Sequence, residues 1–297
     1  MAALDQLAAG ARILVVRLRS LGDCVLTTPA LGLLRQARPD LRLGVVVDPR
    51  FAPVFARNTD IDELLDPSAG GVVRFGADLC LNLHGGTRSV ALTVLSRARL
   101  RAGFAHFRHS WAYNVRIPRA QEILGVDRTV HTAEHLASAV FHLGVPIGEI
   151  PRARLFTTPY RNERPYAVLH PMASSPDKTW PAGRFRQLAA HIESRLGLEP
   201  IFIAGPGEPL DEFRNWKVWE GAPLDDVKAL LAGATLFAGN DSGPAHVAAA
   251  FGIPMVVLFG PSDPLIWAPW KTPTAVKPIT SDAGEVIEAL EKLRVSA

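Results

Sequence analysis

Apolar residues fall along this chain in two alternating kinds of block. One kind is a brief unbroken run, as in Ile13 to Leu18, Leu41 to Val47, Leu79 to Leu83, Arg101 to Phe104, Tyr166 to Leu169, Pro200 to Ala204, Thr235 to Ala238 and Met255 to Phe259. Runs this short, and apolar at successive positions, suit strands buried on both faces. The other kind is longer and spaced at helical intervals: Val25 to Arg38, Phe51 to Asn58, Ala133 to Leu143, Ala182 to Leu196, Leu224 to Leu231, Ala245 to Phe251 and Ala283 to Leu293. Strand followed by helix, over and over, predicts an α/β protein built on parallel sheets covered on both sides.

The alternation pauses between Val145 and Pro165, a stretch bearing several prolines with little periodicity, which reads as a linker. Two Rossmann-like, doubly wound domains are therefore expected, 1–160 and 161–297, and a chain of 297 residues is long enough for both. The closing amphipathic helix, 282–295, has an apolar face that could return to the first domain. In such folds ligands gather at the carboxyl ends of the strands, so the loops that follow strands are where chemistry is sought.

Composition removes several classes of function. At 48% hydrophobic and 21% charged the chain is ordinary for a globular protein. Residues 1–10 lack the basic start, apolar core and cleavage site of a secretory leader, so a cytoplasmic location is expected. Cys24 and Cys80 are too few for a disulfide framework or a zinc site. The net charge of +3 hides an asymmetry. Residues 1–160 hold 19 arginines, no lysine and 13 acidic residues, whereas the remainder holds 13 basic and 16 acidic ones. Between Asp78 and Glu122 stand Arg88, Arg97, Arg99, Arg101, Arg108, Arg116 and Arg119 with no acid among them, interleaved with His84, His106, His109, Phe104, Phe107, Trp111 and Tyr113. Guanidinium groups grip phosphate and carboxylate while aromatic rings settle at a lipid interface, so an anionic amphiphile fits this stretch. A nucleic-acid surface would have a similar composition.

Four loops carry candidate chemistry. Gly239-Asn240-Asp241-Ser242-Gly243-Pro244-Ala245-His246 follows a strand and opens a helix. Its residues are good N-caps, and the amides of Ser242 and Gly243 would point at an anion from the positive end of the helix dipole. An ordinary capped helix is the plain alternative. Arg17-Leu18-Arg19-Ser20-Leu21-Gly22-Asp23 ends the first strand without the glycine spacing of a dinucleotide site. Asp23 there suits either a helix cap or a carboxylate that accepts a proton from an attacking hydroxyl. His170 to Pro181 offers the hydroxyls of Ser174 and Ser175 and the point charge of Lys178 to a diphosphate. Gly205-Pro206-Gly207-Glu208 places an acid where ribose hydroxyls could be bridged, or simply makes a turn.

In this order the loops resemble glycosyltransferase family 9, the ADP-heptose:lipopolysaccharide heptosyltransferases. The resemblance rests on RLRSLGDCVLTTPAL (17–31), HPMASSPDKTWP (170–181), the Gly205 to Glu208 turn, GNDSGPAH (239–246), and Phe259 to Pro264 with Trp267 to Trp270 after it. It implies a GT-B fold whose two domains face a central cleft, acceptor on the first and nucleotide sugar on the second. Asp23 matches the general base of an inverting single displacement. Ser174, Ser175, Lys178, Glu208, Gly221, Asp241, Ser242, Gly243 and His246 match the nucleotide-sugar side, and Arg19, His84 and Arg88 the acceptor side. The resemblance implies no metal and no cofactor beyond the donor, ADP-heptose or a similar nucleotide sugar, with an anionic lipid A core saccharide as acceptor. It also implies peripheral contact with the inner membrane and no nucleic acid. Another sugar or polymer acceptor, or a silent nucleotide-sugar-binding protein, remain the alternatives.

Overall fold

The computed structural model describes residues 1–295 and divides the chain into two compact units, Met1–Phe156 and Thr157–Ala297. The first contains β1 (Arg12–Val16), α1 (Leu21–Ala37), β2 (Arg42–Val46), α2 (Ala52–Phe55), β3 (Glu63–Leu65) and α3 (Ala69–Phe75). It continues with β4 (Leu79–Asn82), α4 (Thr87–Leu95), β5 (Leu100–Phe104), β6 (Val115–Ile117), α5 (Ala120–Leu124) and α6 (Thr132–Leu143). The second holds β7 (Tyr166–His170), α7 (Ala182–Leu196), β8 (Glu199–Ala204), β9 (Lys217–Glu220), α8 (Leu224–Gly233), β10 (Leu236–Asn240), α9 (Gly243–Ala250), β11 (Met255–Phe259), α10 (Pro264–Trp267), β12 (Thr274–Pro278) and α11 (Ala283–Val295).

Each unit is built on one six-stranded sheet, and all pairings are parallel. The strand orders are β3-β2-β1-β4-β5-β6 and β9-β8-β7-β10-β11-β12, so the two units share one winding. Both are doubly wound α/β folds, the GT-B architecture in kind. The central strands are apolar at successive positions because helices cover both faces: β1, β4, β7 and β11 are buried almost throughout. In the second unit Trp180, Phe185, Leu188 and Ile192 share a core with Val286 and Leu290 of α11. Helix α11 thus lays its apolar face on α7, β11 and β12 of its own unit. No helix among the described residues is long and apolar enough to cross a membrane.

Where local pattern and structure differ, tertiary packing decides. The helix expected over Phe51 to Asn58 is cut to Ala52–Phe55: Ala56 turns to extended backbone and Arg57 takes a φ of +61°, after which Asn58 Oδ1 accepts from the Asp60 amide in a turn. Helix α4 was hidden by its β-branched residues, whose stiff side chains weaken helix propensity. Ser89, Thr93 and Ser96 nevertheless satisfy their hydroxyls on its own carbonyls, at Gly86, Ser89 and Thr93. The edge strands β3, β6, β9 and β12 are short or half exposed and leave little periodic signal.

Candidate functional site

In each unit the strand order reverses at one point, between β1 and β4 and between β7 and β10. Crevices at such reversals, beyond the carboxyl ends of the strands, are where open α/β sheets bind ligands. The candidate residues divide accordingly. Arg19 and Asp23 follow β1, and His84 and Arg88 follow β4. Ser174, Ser175 and Lys178 follow β7, while Asp241, Ser242, Gly243 and His246 follow β10.

In the first unit Asp23 is the third residue of α1 and forms a reciprocal cap with Ser20, whose amide and hydroxyl both donate to its Oδ2, at 3.4 and 3.0 Å. Its Oδ1 lies 3.5 Å from Nη1 of Arg17, a guanidinium that is itself buried. Burial lowers the Arg17 pKa, with Asp23 opposing, and its Nε has no hydrogen-bond partner among the described residues. The His84 pKa is held below its ordinary value first by burial and then by Arg17, and its buried Nδ1 has no hydrogen-bond partner among the described residues. Arg19 is exposed. Arg88 is exposed but not free: Nη1 donates to Asp48 Oδ1 at 3.1 Å. His135, which the sequence did not single out, stacks on Phe104 at 4.0 Å. Its pKa is lowered to about 4, first by burial, then by His106 and Arg17.

In the second unit the residues that could have capped α9 are committed elsewhere. Asn240 is buried, its Oδ1 accepting from the Trp180 amide at 3.0 Å and its Nδ2 donating to the Pro171 carbonyl at 2.9 Å. These bonds tie the loop after β7 to the end of β10. Ser242 Oγ lies 3.0 Å from Nδ1 of His170, a buried imidazole whose pKa desolvation lowers to about 4. Helix α9 therefore starts with no side-chain cap, and Pro244 leaves one fewer amide to satisfy. Its mouth is open, with the Ser242 and Gly243 amides at the positive end of the dipole.

Around this mouth stand the other groups. The Lys178 ammonium makes no ion pair or hydrogen bond among the described residues, yet its charge acts on Asp241. Burial raises the Asp241 pKa from its ordinary value, with Ser262 and Lys178 drawing it back. Ser175 is turned to its neighbour Asp177, so Ser174 is the serine with an uncommitted, exposed hydroxyl. Gly260 allows the close approach of this loop, since a Cβ there would stand 2.4 Å from the Asp177 carbonyl oxygen. His246 is buried on α9. Glu208 Oε2 accepts from the Gly205 amide at 2.7 Å, closing its own turn. Gly221, at φ +62°, packs against Pro206 of that turn.

The functional neighbours missed in the sequence are Arg17, His135, His170 and Asn240. Arg17 and Asn240 had a local signal, a polar residue at the end of an apolar strand. The segment Asp60-Ile61-Asp62 has the Asp-x-Asp spacing by which other glycosyltransferases hold a metal. Here it fastens the sheet edge, Asp62 accepting from Arg35 and from the Leu43 amide, with Asp60 buried. No group of three or more potential metal ligands occurs among the described residues.

Comparison with known proteins identifies the family. The model of glycosyltransferase family 9 (heptosyltransferase) matches residues 72–283. Lipopolysaccharide heptosyltransferase 3 of Escherichia coli K12 is 25% identical over 84% of this chain and 82% of its own. A family 9 glycosyltransferase of Veillonella parvula superposes with a TM-score of 0.85 at 24% identity, over 97% of this chain and 98% of that one. The ADP-heptose lps heptosyltransferase II of E. coli does so with a TM-score of 0.80 at 20% identity, over 96% and 99%. With strand order, switch-point loops and family match in agreement, this chain belongs to glycosyltransferase family 9, the heptosyltransferases.

Proposed function

We propose that this enzyme transfers a heptosyl residue from ADP-heptose, or a close nucleotide-diphospho-sugar, to the inner core of a lipopolysaccharide acceptor, working at the cytoplasmic face of the membrane. The donor and acceptor are those that the names of its relatives carry. The observation that supports the donor side most is the uncapped mouth of α9, whose nearest hydroxyl and amide side chains are turned to His170 and Trp180.

In this reading the diphosphate lies against the Ser242 and Gly243 amides, Lys178 and Ser174. As the sugar leaves, charge builds on the phosphate, and fixed dipoles aimed at that charge lower the barrier without reorganising. Asp241 contacts the transferred sugar, and Glu208 and Gly221 border the nucleoside. On the acceptor side Asp23 takes the proton of the attacking hydroxyl, while Arg19, His84 and Arg88 hold anionic groups of the saccharide. Attack by that oxygen on the anomeric carbon expels the nucleoside diphosphate and inverts the centre. The test is a thermal-shift comparison of ADP, UDP, GDP and ADP-heptose, since a ligand that binds the folded state raises its melting temperature. ADP and its heptosyl derivative are expected to stabilise; stabilisation by UDP or GDP alone would overturn the donor assignment.

A further inference from the structure

Beyond His84 and Arg88, the arginine-rich stretch after β4 leaves a surface that the transfer chemistry does not use. Strands β4, β5 and β6 are successive neighbours in the sheet, so α4 and the segment between β5 and β6 are two crossovers in the same direction. Crossovers of one hand place both on the same face. They touch: Thr87 Oγ1 lies 3.2 Å from His109 Nε2, and Val90 packs with Ala112 and Tyr113. Arg101 Nε donates to the Ala112 carbonyl at 3.0 Å and fixes the turn Ser110–Ala112 on the sheet. With Val90 turned inward, the outer side of this layer shows Val94 at 47% exposure, Leu95 at 42% and, on the turn, Trp111 at 70%.

Arginines accompany these apolar groups. Arg97, Arg108 and Arg116 are exposed and make no ion pair or side-chain hydrogen bond among the described residues. No acidic residue occurs from Leu79 to Gln121 to neutralise them. An exposed indole beside aliphatic side chains and uncompensated guanidinium groups is complementary to a surface with negative charge outside and an apolar layer beneath. Nucleic acid would meet the arginines but leave Val94 and Leu95 without a partner.

We propose that the outer layer formed by α4 and the Ser110–Ala112 turn docks on an anionic lipid bilayer, Trp111 entering the headgroup region and Arg97, Arg108 and Arg116 meeting lipid phosphates. This deepens the reading above, resting on it only for the lipid-linked acceptor. Docking of this size is weak and reversible, as befits an enzyme that must leave its product.

Co-sedimentation with phosphatidylcholine vesicles, with and without phosphatidylglycerol, tests it. The wild-type chain should partition about tenfold or more in favour of the anionic vesicles, less so as salt is raised. Trp111→Ser and the pair Arg108→Glu with Arg116→Glu should each lose about tenfold of that binding. Their unfolding midpoints and turnover on a lipid-free acceptor saccharide should stay as in the wild type. Equal binding to both vesicles, or variants that bind as the parent does, overturns the docking face. So does a wild-type dimer that both variants dissolve while neither vesicle is bound. A wild-type chain that glycosylates the lipid-free saccharide yet ignores both vesicles refutes the docking alone; one that binds anionic vesicles and transfers nothing refutes the transferase reading alone.

Discussion

The two units wind their sheets in the same order but treat the helix at the switch point in opposite ways. In the first unit α1 is closed by the reciprocal cap of Ser20 and Asp23, with a buried arginine beside the carboxylate. In the second, α9 is left open, its serine and asparagine drawn off to His170 and to the Trp180 amide. The first arrangement holds a carboxylate in a fixed position, and the second presents unsatisfied amides to an anion. One backbone design can therefore serve proton transfer or diphosphate binding according to which side chains satisfy the helix N-terminus.

The largest expected effect falls on the closed end. Asp23→Asn should lower kcat by about 10²- to 10⁴-fold, the usual range for a general base. Asparagine can still accept from the Ser20 amide but removes the counter-charge of the buried Arg17, so the unfolding midpoint should fall somewhat while donor binding should hardly change. Full turnover in this variant would leave Asp23 as a cap and dissolve the contrast. Next comes Gly260→Ala, which sets a methyl 2.4 Å from the Asp177 carbonyl oxygen and must displace the backbone bearing Lys178. Roughly 1–3 kcal/mol of stability should be lost, together with affinity for ADP measured calorimetrically. The matching change beyond β4, Gly86→Ala, would meet only the His84 ring, at 3.4 Å or more, and should be tolerated.

Acidification probes both units at once. His135 and His170 have folded pKa values lowered to about 4. Below pH 6.5 the unfolded chain binds protons that the folded chain does not, so stability is complete above that value and is lost as pH falls toward 4. The loss should be on the order of 2 kcal/mol per histidine at pH 5, read by urea unfolding, and either His→Gln substitution should remove its share. A flat profile between pH 7 and 5 would show that the imidazoles are not buried as described. Smallest is Glu208→Gln. Its amide oxygen can still accept from Gly205, so stability should change by less than about 0.5 kcal/mol, while ADP affinity should fall about threefold to tenfold if the free Oε1 binds ribose. Unchanged affinity would leave Glu208 a turn residue only.

Much of this is legible in the amino-acid sequence. The continuous apolar runs marked β1, β2, β4, β7, β8, β10 and β11, because a strand buried on both faces has no polar positions to interrupt it. The helical spacing marked α1, α6, α7, α8 and α9, and the ordered loops after the strands identified the family. These signals are local, set by the period of the element and the residue types at its ends. What the sequence could not settle is which polar groups in those loops are already engaged. Ser242 meets a histidine from β7, Asn240 an amide preceding α7, and Arg88 a carboxylate following β2. Such partners are distant along the chain and are brought together only by the parallel winding of the sheet. Tertiary structure thus decided that one switch-point helix is closed and the other open, because a buried polar side chain takes whatever partner the packed sheet sets beside it.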